Sequence, residues 1–318
     1  MSRFLVTGGA GFIGSHITQA LLKNGHSTRV LDNFSSGKQE NLGFIRQLKN
    51  PGAFELIKAD IRDKEACQKA CRGMDFVLHQ AALRSVPKSL DNPAEYNQVN
   101  IQGTLNMLEA ALRHKIKCFV FASSSSVYGE RIRFPEREGD LAQPVSPYAL
   151  TKLAGEYYCK IFTVNYGLNT VSLRYFNVFG PRQSLDDEYA VVVPKFISRM
   201  LGDERPPVHG TGRQSRDFTY VANVVEANLC AVKKNNLKGQ VFNIAWGRDY
   251  SILELVAALN KIMDKQIKPV FEPKRKGDVF RTLADMTQAK KRLGFKPKID
   301  FLKGLELAVE YFQRCRAK

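Results

Sequence analysis

At 318 residues the chain is too long for one small domain and long enough for an α/β domain of ordinary size with a smaller companion. Hydrophobic residues at 44% and charged residues at 25% are the balance of a soluble globular protein, and no apolar run reaches membrane-spanning length. Forty-eight Lys and Arg against 31 Asp and Glu leave a net charge of +17. The excess is spread along the chain in short clusters such as "EPKRKGD" (272–278) and "AKKRLGFKPK" (289–298). That pattern reads as a basic solvated surface suited to a small polyanionic substrate, and it argues against nucleic-acid binding.

The first half alternates strand and helix signals. "RFLVT" (3–7) predicts a buried strand and "FIGSHITQALLKNG" (12–25) a helix. The strand signal returns in "STRVLD" (27–32), "FELIKAD" (54–60), "DFVLHQ" (75–80), "KCFVFASS" (117–124) and "TVSLRYF" (170–176). Helical patterns lie between them, over 92–115 and 147–167. Such alternation predicts an α/β fold with a doubly wound parallel sheet of Rossmann type, covered on both faces. Beyond residue 177 the pattern is less regular, with prolines at 181, 194, 206 and 207. The predicted division is a dinucleotide-binding domain over 1–176, with returning segments near 217–246 such as "QVFNIA", and a smaller substrate-binding lobe over 177–318. Glycine-rich sequence begins by Gly8, leaving no room for a basic-then-apolar leader. The six cysteines have no paired spacing and the five histidines no metal-ligand spacing. These features predict a cytoplasmic protein with free thiols and no metal site.

"LVTGGAGFIGSH" places Gly8, Gly11 and Gly14, with Phe12 and Ile13 among them, between the first strand and the first helix. Three glycines there permit a tight turn, a close approach by a pyrophosphate and close helix–strand packing. Asp32 ends the second strand 18 residues after Gly14, the position for a carboxylate on the adenosine ribose. That carboxylate would repel a 2′-phosphate and no arginine follows it directly, so NAD is expected over NADP. Arg29 and Lys38 lie near enough in sequence to qualify this choice. Asp60, ending the next strand, is a candidate adenine contact.

"SPYALTKLAGE" sets Tyr148 and Lys152 four residues apart at the start of a helix, on one face. Tyrosine ordinarily titrates at about 10, so ionisation near neutrality needs a fall of about 3 units, or ~4 kcal/mol. The Lys152 ammonium and a positively charged nicotinamide are candidate sources. Behind a dinucleotide fingerprint, the pair reads as acid/base machinery for hydride transfer.

Together with "HQAALRSV", "FASSSSVYG", "RYFNVFGPRQ", "GTGRQSRDFTYVANV" and "RKGDVFRTLADMTQAKKRLGF", these motifs resemble the extended short-chain dehydrogenase/reductases that act on nucleotide sugars. The resemblance covers essentially the whole chain. "LDNFSSGKQENL" and "HQAALRSVPKSLDNP" are most similar to the UDP-hexose 4-epimerases, particularly those using N-acetylhexosamines. The resemblance implies tightly held NAD, recycled at each turnover. It also implies cofactor contacts from Asn33, Ile61, Gln80, Ala81, Ala82, Asn100, Ser123 and Tyr175, besides the residues above. Ser124 would share the proton of the sugar 4-hydroxyl with Tyr148. Related dehydratases carry an acidic pair, and related decarboxylases a glutamate, where this chain has Ser125 and Ser126. Hydroxyls without acids fit oxidation at carbon 4 and its reversal. For Ser125 and Ser126 a substrate role and a strand-end cap both stay open.

For the substrate, the resemblance implies Asn177 at the diphosphate or sugar and Arg216 and Arg275 on the diphosphate, where guanidinium forks suit phosphate. It places Asp278 on the uridine ribose, Val208 and His209 along the uracil, and Val192 and Arg84 in the substrate site. Thr282 stands at the gatekeeper place, where neutral-sugar epimerases carry a tyrosine, and leaves room for a 2-acetamido group. Ser184 follows "GPRQ" where UDP-glucuronate epimerases carry a second arginine, which weakens that alternative. A non-catalytic NAD-binding sensor is a more distant alternative, since such proteins usually lose Tyr148 or Lys152 equivalents. Helices over 92–115 and 147–167 resemble those pairing in homodimers of the family.

Overall fold

The computed structural model describes residues 1–49, 51–184, 192–274 and 279–316. In the first half it contains β1 (Arg3–Thr7), α1 (Phe12–Lys23), β2 (Ser27–Asp32), β3 (Phe54–Lys58), α2 (Lys64–Cys71), β4 (Phe76–His79), α3 (Val86–Asp91), α4 (Pro93–Tyr96), α5 (Gly103–Arg113), β5 (Cys118–Ser124), α6 (Pro147–Tyr166) and β6 (Thr170–Tyr175). The second half holds β7 (Val178–Phe179), α7 (Val192–Leu201), β8 (Pro207–His209), β9 (Ser215–Arg216), β10 (Thr219–Tyr220), α8 (Val221–Val232), β11 (Gln240–Ile244), β12 (Tyr250–Ser251), α9 (Ile252–Met263), β13 (Val270–Glu272) and α10 (Phe301–Arg316).

Seven strands form one sheet in the order β11-β6-β5-β4-β1-β2-β3, and every neighbouring pair is parallel. This is the doubly wound Rossmann arrangement. Both faces are buried along β1, β4, β5 and β6, which is why these strands read without alternation, while the edge strand β3 is largely exposed. On one face α1 and α8 pack through Ile17, Leu21, Val224 and Ala227 onto Val6, Val120 and Leu173. On the other, Cys67, Met107 and Phe162 cover Leu5, Val77 and Phe119. A fully buried Leu, Val or Phe side chain of this kind contributes about 1.5–3 kcal/mol. A separate core in the second half gathers Phe179, Phe196, Phe218, Leu255, Phe301 and Leu305.

The strand order reverses between β1 and β4, where a ligand-binding crevice is expected at the carboxyl ends of the strands. The predicted helix over 92–115 is interrupted: α4 runs into a π-helical turn at Asn97–Gln102 before α5 begins. The widened turn coincides with a clasp by Asn100, whose side chain bonds the backbone of Leu83 on both its N–H and its C=O. Local departures of this kind accompany functional sites more often than plain helix.

Candidate active site

A cleft opens at the reversal point. Its walls include Gly8, Gly11, Phe12, Ile13, Gly14, Asp32, Asn33, Asp60, Ile61, Gln80, Ala81, Ala82, Ser123, Tyr148, Lys152 and Tyr175, together with Arg84. Of the cofactor residues expected from sequence, only Asn100 is absent from these walls. It is buried, bonds Leu83 and Thr151, and supports the 81–84 wall from behind.

The glycine turn has the shape that a pyrophosphate needs. Gly8 has φ +66°, and a Cβ there would lie 2.8 Å from the Ala81 nitrogen. A Cβ on Gly14 would lie 2.1 Å from the Gly8 carbonyl oxygen, so α1 begins in close contact with the turn. Phe12, Ile13 and Gly14, the first turn of α1, line the cleft, and first-turn N–H groups of a helix have no partner within the helix. Asp32 is buried, and its carboxylate accepts from the Ala10 N–H at 2.9 Å and the Phe34 N–H at 2.8 Å. Burial raises its pKa, and those two donors oppose the rise. The lone pairs left over suit a ribose diol. Asp60 accepts from Asn33 Nδ2 at 2.8 Å and from the Arg62 guanidinium at 2.8 Å, which holds its pKa near 2. Asp60 therefore stays anionic on the cleft wall. These residues fit NAD.

Tyr148 is placed by the start of α6. Ser146 Oγ accepts from the Ala149 N–H, Pro147 sits in the first turn, and Gly167 closes the helix in the left-handed region. Burial raises the pKa of Tyr148, and the Ser124 hydroxyl and the Arg84 charge oppose the rise. The expected lowering by Lys152 is not found. Lys152 Nζ donates instead to the Ala122 carbonyl at 2.9 Å and lies 6.0 Å from the Tyr148 ring centre. Its own pKa falls to about 8 because the ammonium is buried. In the serine run, Ser124 Oγ accepts from the Ser126 N–H at 3.2 Å and pairs with Ser126 Oγ at 2.9 Å. Ser125 opens the short 3-10 turn that follows. Ser124 therefore caps that turn.

The substrate residues are less tightly gathered. Asn177 Nδ2 donates to Thr282 Oγ1 at 2.8 Å, and the Asp217 N–H donates to the same hydroxyl at 3.2 Å. Thr282 is buried within this small network. The Arg216 guanidinium is buried too, donating to the carbonyls of Ser215, Phe280 and Val279. Val208, expected along the uracil, is fully buried in the second core. The backbone pairing of β8 with β13 seals it on that side. His209 is half-buried, with Nδ1 3.2 Å from the Pro273 carbonyl and 3.3 Å from the Glu272 carboxylate. Val192 opens α7 and packs against the second core. Arg275 and Asp278 lie outside the described residues.

Two buried acids brace the same region. Asp217 accepts N–H bonds from Trp246, Gly247 and Ala284, and Glu136 accepts one from Leu283. Burial raises their pKa values to about 7 and about 8. Sequence reasoning missed several wall residues of the cleft: Ser35, Ser36, Asn41, Arg62, Glu95, Val99 and Arg182. The first three follow Asp32 closely, where the loop after β2 had to pass the ribose. Arg182 had no such signal. It takes φ +65° and reaches back to Ser15 and Gln19 of α1, with its guanidinium 4.8 Å from the Phe44 ring centre.

The model of the NAD dependent epimerase/dehydratase family matches residues 4–245, and the chain belongs to that family. UDP-glucose 4-epimerase of Mycolicibacterium smegmatis is 36% identical over 313 residues, covering 98% of both chains. The structure of UDP-N-acetylglucosamine 4-epimerase from Methanobrevibacter ruminantium, in complex with UDP-N-acetylmuramic acid, superposes with a TM-score of 0.92 at 40% identity over 99% of each chain. UDP-glucuronic acid 4-epimerase from Bacillus cereus, in complex with UDP-glucuronic acid and NAD, gives a TM-score of 0.90 at 34% identity over 98% of this chain and 99% of that one. The chain is an NAD-dependent UDP-sugar 4-epimerase. Among the described residues, no helix is long and apolar enough to cross a membrane and no cluster of side chains could hold a metal ion.

Proposed function

We propose that this epimerase interconverts UDP-GlcNAc with UDP-GalNAc, and UDP-glucose with UDP-galactose, by transient oxidation at carbon 4. The reading is carried by Tyr148 on the cleft wall with the Ser124 hydroxyl near enough to favour its phenolate, and with the Ser126 hydroxyl bonded to Ser124. Tyr148 takes the 4-hydroxyl proton and later returns it, and Ser124 passes that proton between sugar and phenol. NAD, when bound, supplies the hydride acceptor and donor for carbon 4 and a positive charge near the phenol. Lys152 holds the end of β5 against α6 through Ala122, with its ammonium 6.0 Å from the phenol ring centre. Glycines 8, 11 and 14, Asp32 and Asp60 hold the dinucleotide. Asn177, Arg216 and Thr282, with Arg275 and Asp278, form the UDP-sugar end, in a lobe running from residue 177 to the C-terminal part of the chain.

Thr282 supports the N-acetyl preference, because a threonine leaves the space that a tyrosine would fill. The relative from M. ruminantium, itself a UDP-N-acetylglucosamine 4-epimerase, supports it too. A second reading, UDP-glucuronate epimerisation, draws support from Arg84 and Arg182 on the cleft walls and from the B. cereus relative. Incubation with UDP-GlcNAc, UDP-glucose and UDP-glucuronate in parallel, without added reductant and with products resolved by NMR, tests both. UDP-GalNAc from the first is the expected result; conversion of UDP-glucuronate alone refutes the N-acetyl reading. We further propose a cytoplasmic homodimer. Six free cysteines fit a reducing compartment, and Leu150, Tyr157, Ile161 and Val164 leave an exposed apolar face on α6 for a second copy.

A further inference from the structure

Tyr148, Lys152 and Glu156 follow one another at intervals of four along α6 and form one stripe. The first two belong to the chemistry proposed above; the third has no part in it. Glu156 is fully buried, yet its carboxylate joins two neighbouring strands. Oε1 accepts from Ser123 Oγ at 2.5 Å and from Arg174 Nε at 2.8 Å, and Oε2 accepts from Arg174 Nη2 at 2.7 Å. Ser123 on β5 and Arg174 on β6 are direct partners in the sheet register, so the two donors stand side by side. The Arg174 guanidinium lies 4.6 Å from the Tyr128 ring centre, which closes the pair from the other side.

One turn earlier, Lys152 Nζ is bonded to Ala122, the residue before Ser123. Helix α6 is therefore fastened to β5 at Ala122 and Ser123, and the next residue is Ser124, whose hydroxyl favours the Tyr148 phenolate. The contact is close as well as charged: a Cβ on Gly155 would lie 2.3 Å from the Phe121 ring, so the helix rests directly on the strand. A buried ion pair is an expensive way to gain stability, because apolar residues of similar volume often serve as well. A bidentate guanidinium–carboxylate fork does fix distance and angle.

We propose that the Glu156–Arg174 pair, through Ser123, is a positioning device that sets the register of α6 on β5 and so places Tyr148 opposite Ser124 for proton sharing. The inference rests on the epimerase reading of that proton sharing. Neither Glu156 nor Arg174 lines the cleft or touches the reacting atoms. Losing the Glu156–Arg174 pair leaves the cleft residues in place and loosens the Ser124–Tyr148 geometry.

The test compares wild type with Glu156→Met/Arg174→Met, Glu156→Gln and Ser123→Ala, all saturated with NAD and assayed on the same UDP-sugar. The double variant removes both buried charges together, which avoids leaving one unpaired. Turnover per bound NAD is expected to fall about a hundred-fold in the double variant and about ten-fold in Ser123→Ala, with KM within about three-fold of wild type. Glu156→Gln keeps an acceptor for Ser123 and is expected to fall between wild type and the double variant. The acidic limb of kcat against pH should move upward, because Ser124 no longer favours the phenolate. Arg84 and Lys152, the charged groups facing Tyr148, are unchanged in every variant. A purely structural pair would lower thermal stability and leave turnover per bound NAD and the pH limb where they are; that result overturns the proposal. If the double variant does not fold, Glu156→Gln, whose residue lies off the cleft, decides in the same way. Absence of turnover in the wild type would instead refute the epimerase reading.

Discussion

Replacing Lys152 by methionine should make the protein more stable and inactive. Lys152 is 5% exposed, and its ammonium donates one described hydrogen bond, to Ala122. Burial lowers its pKa from 10.5 to about 8, which corresponds to ~3 kcal/mol of cost for keeping the charge in the folded protein. Methionine fills much of the same volume without a charge and forfeits the Ala122 bond, at about 1–2 kcal/mol. The net gain near pH 7 is about 1–2 kcal/mol, or a few degrees in Tm. The sign changes predictably with pH. Lysine is charged in both states at pH 7. Between about pH 8 and 10.5 the folded protein has released the proton and the unfolded chain still holds it, so wild-type stability rises with pH. The advantage of Lys152→Met should shrink across that window. Chemical denaturation from pH 7 to 10 checks this on protein stripped of NAD, since cofactor lost from the variant would itself shift stability. A variant less stable than wild type at pH 7, or a difference constant with pH, would refute the reasoning.

Tyrosine at position 282 should abolish turnover of UDP-GlcNAc while retaining at least a tenth of that with UDP-glucose; equal losses on both substrates would show that Thr282 does not face the 2-acetamido group. Glu136, whose pKa burial lifts from 4.5 to about 8, stays protonated in the fold while the unfolded chain ionises, so it makes stability fall as pH rises through that window. Asp217 acts in the same direction up to about pH 7. Thermal melts of Glu136→Gln between pH 5.5 and 8.5 should therefore slope less than those of wild type, and an unchanged slope counts against the buried-acid account. Gly14→Ala should weaken NAD binding at least ten-fold by isothermal titration, because its Cβ would press on the Gly8 carbonyl; unaltered affinity would mean that α1 can shift without cost.

The sheet and the dinucleotide cradle were legible because each rests on local chemistry. A buried parallel strand must be apolar throughout, a tight turn under a pyrophosphate must be glycine, and the ribose carboxylate must follow the second strand at a fixed distance. Tyr148 and Lys152 were legible as a helical pair for the same reason. What Lys152 does was not, since its partner is the Ala122 carbonyl, thirty residues earlier in the chain, and main-chain acceptors leave no mark in a sequence. Val208 reads as an ordinary strand residue, and only the pairing of β8 with β13 reveals that it is sealed in a core. Asp217 and Glu136 look like surface acids until the 245–247 and 282–285 segments close over them. Arg182 reaches α1 from a residue with positive φ, a direction no spacing rule predicts.

The far edge of the sheet has a consequence for the order in which the protein is made. Strand β6 is covered on its outer side by β11 alone, and 64 residues separate Tyr175 from Gln240. A ribosome adding about 5–20 residues per second needs about 3–13 s to cross that interval. Throughout it, the growing chain holds a nearly finished nucleotide-binding sheet with the main-chain groups of β6 unpaired along one side. That naked edge is a template for any other strand, including the same segment of a neighbouring nascent chain. A polypeptide ending at residue 176 would keep it permanently. It should collect in the insoluble fraction, whereas one extended to residue 246 carries its own cover.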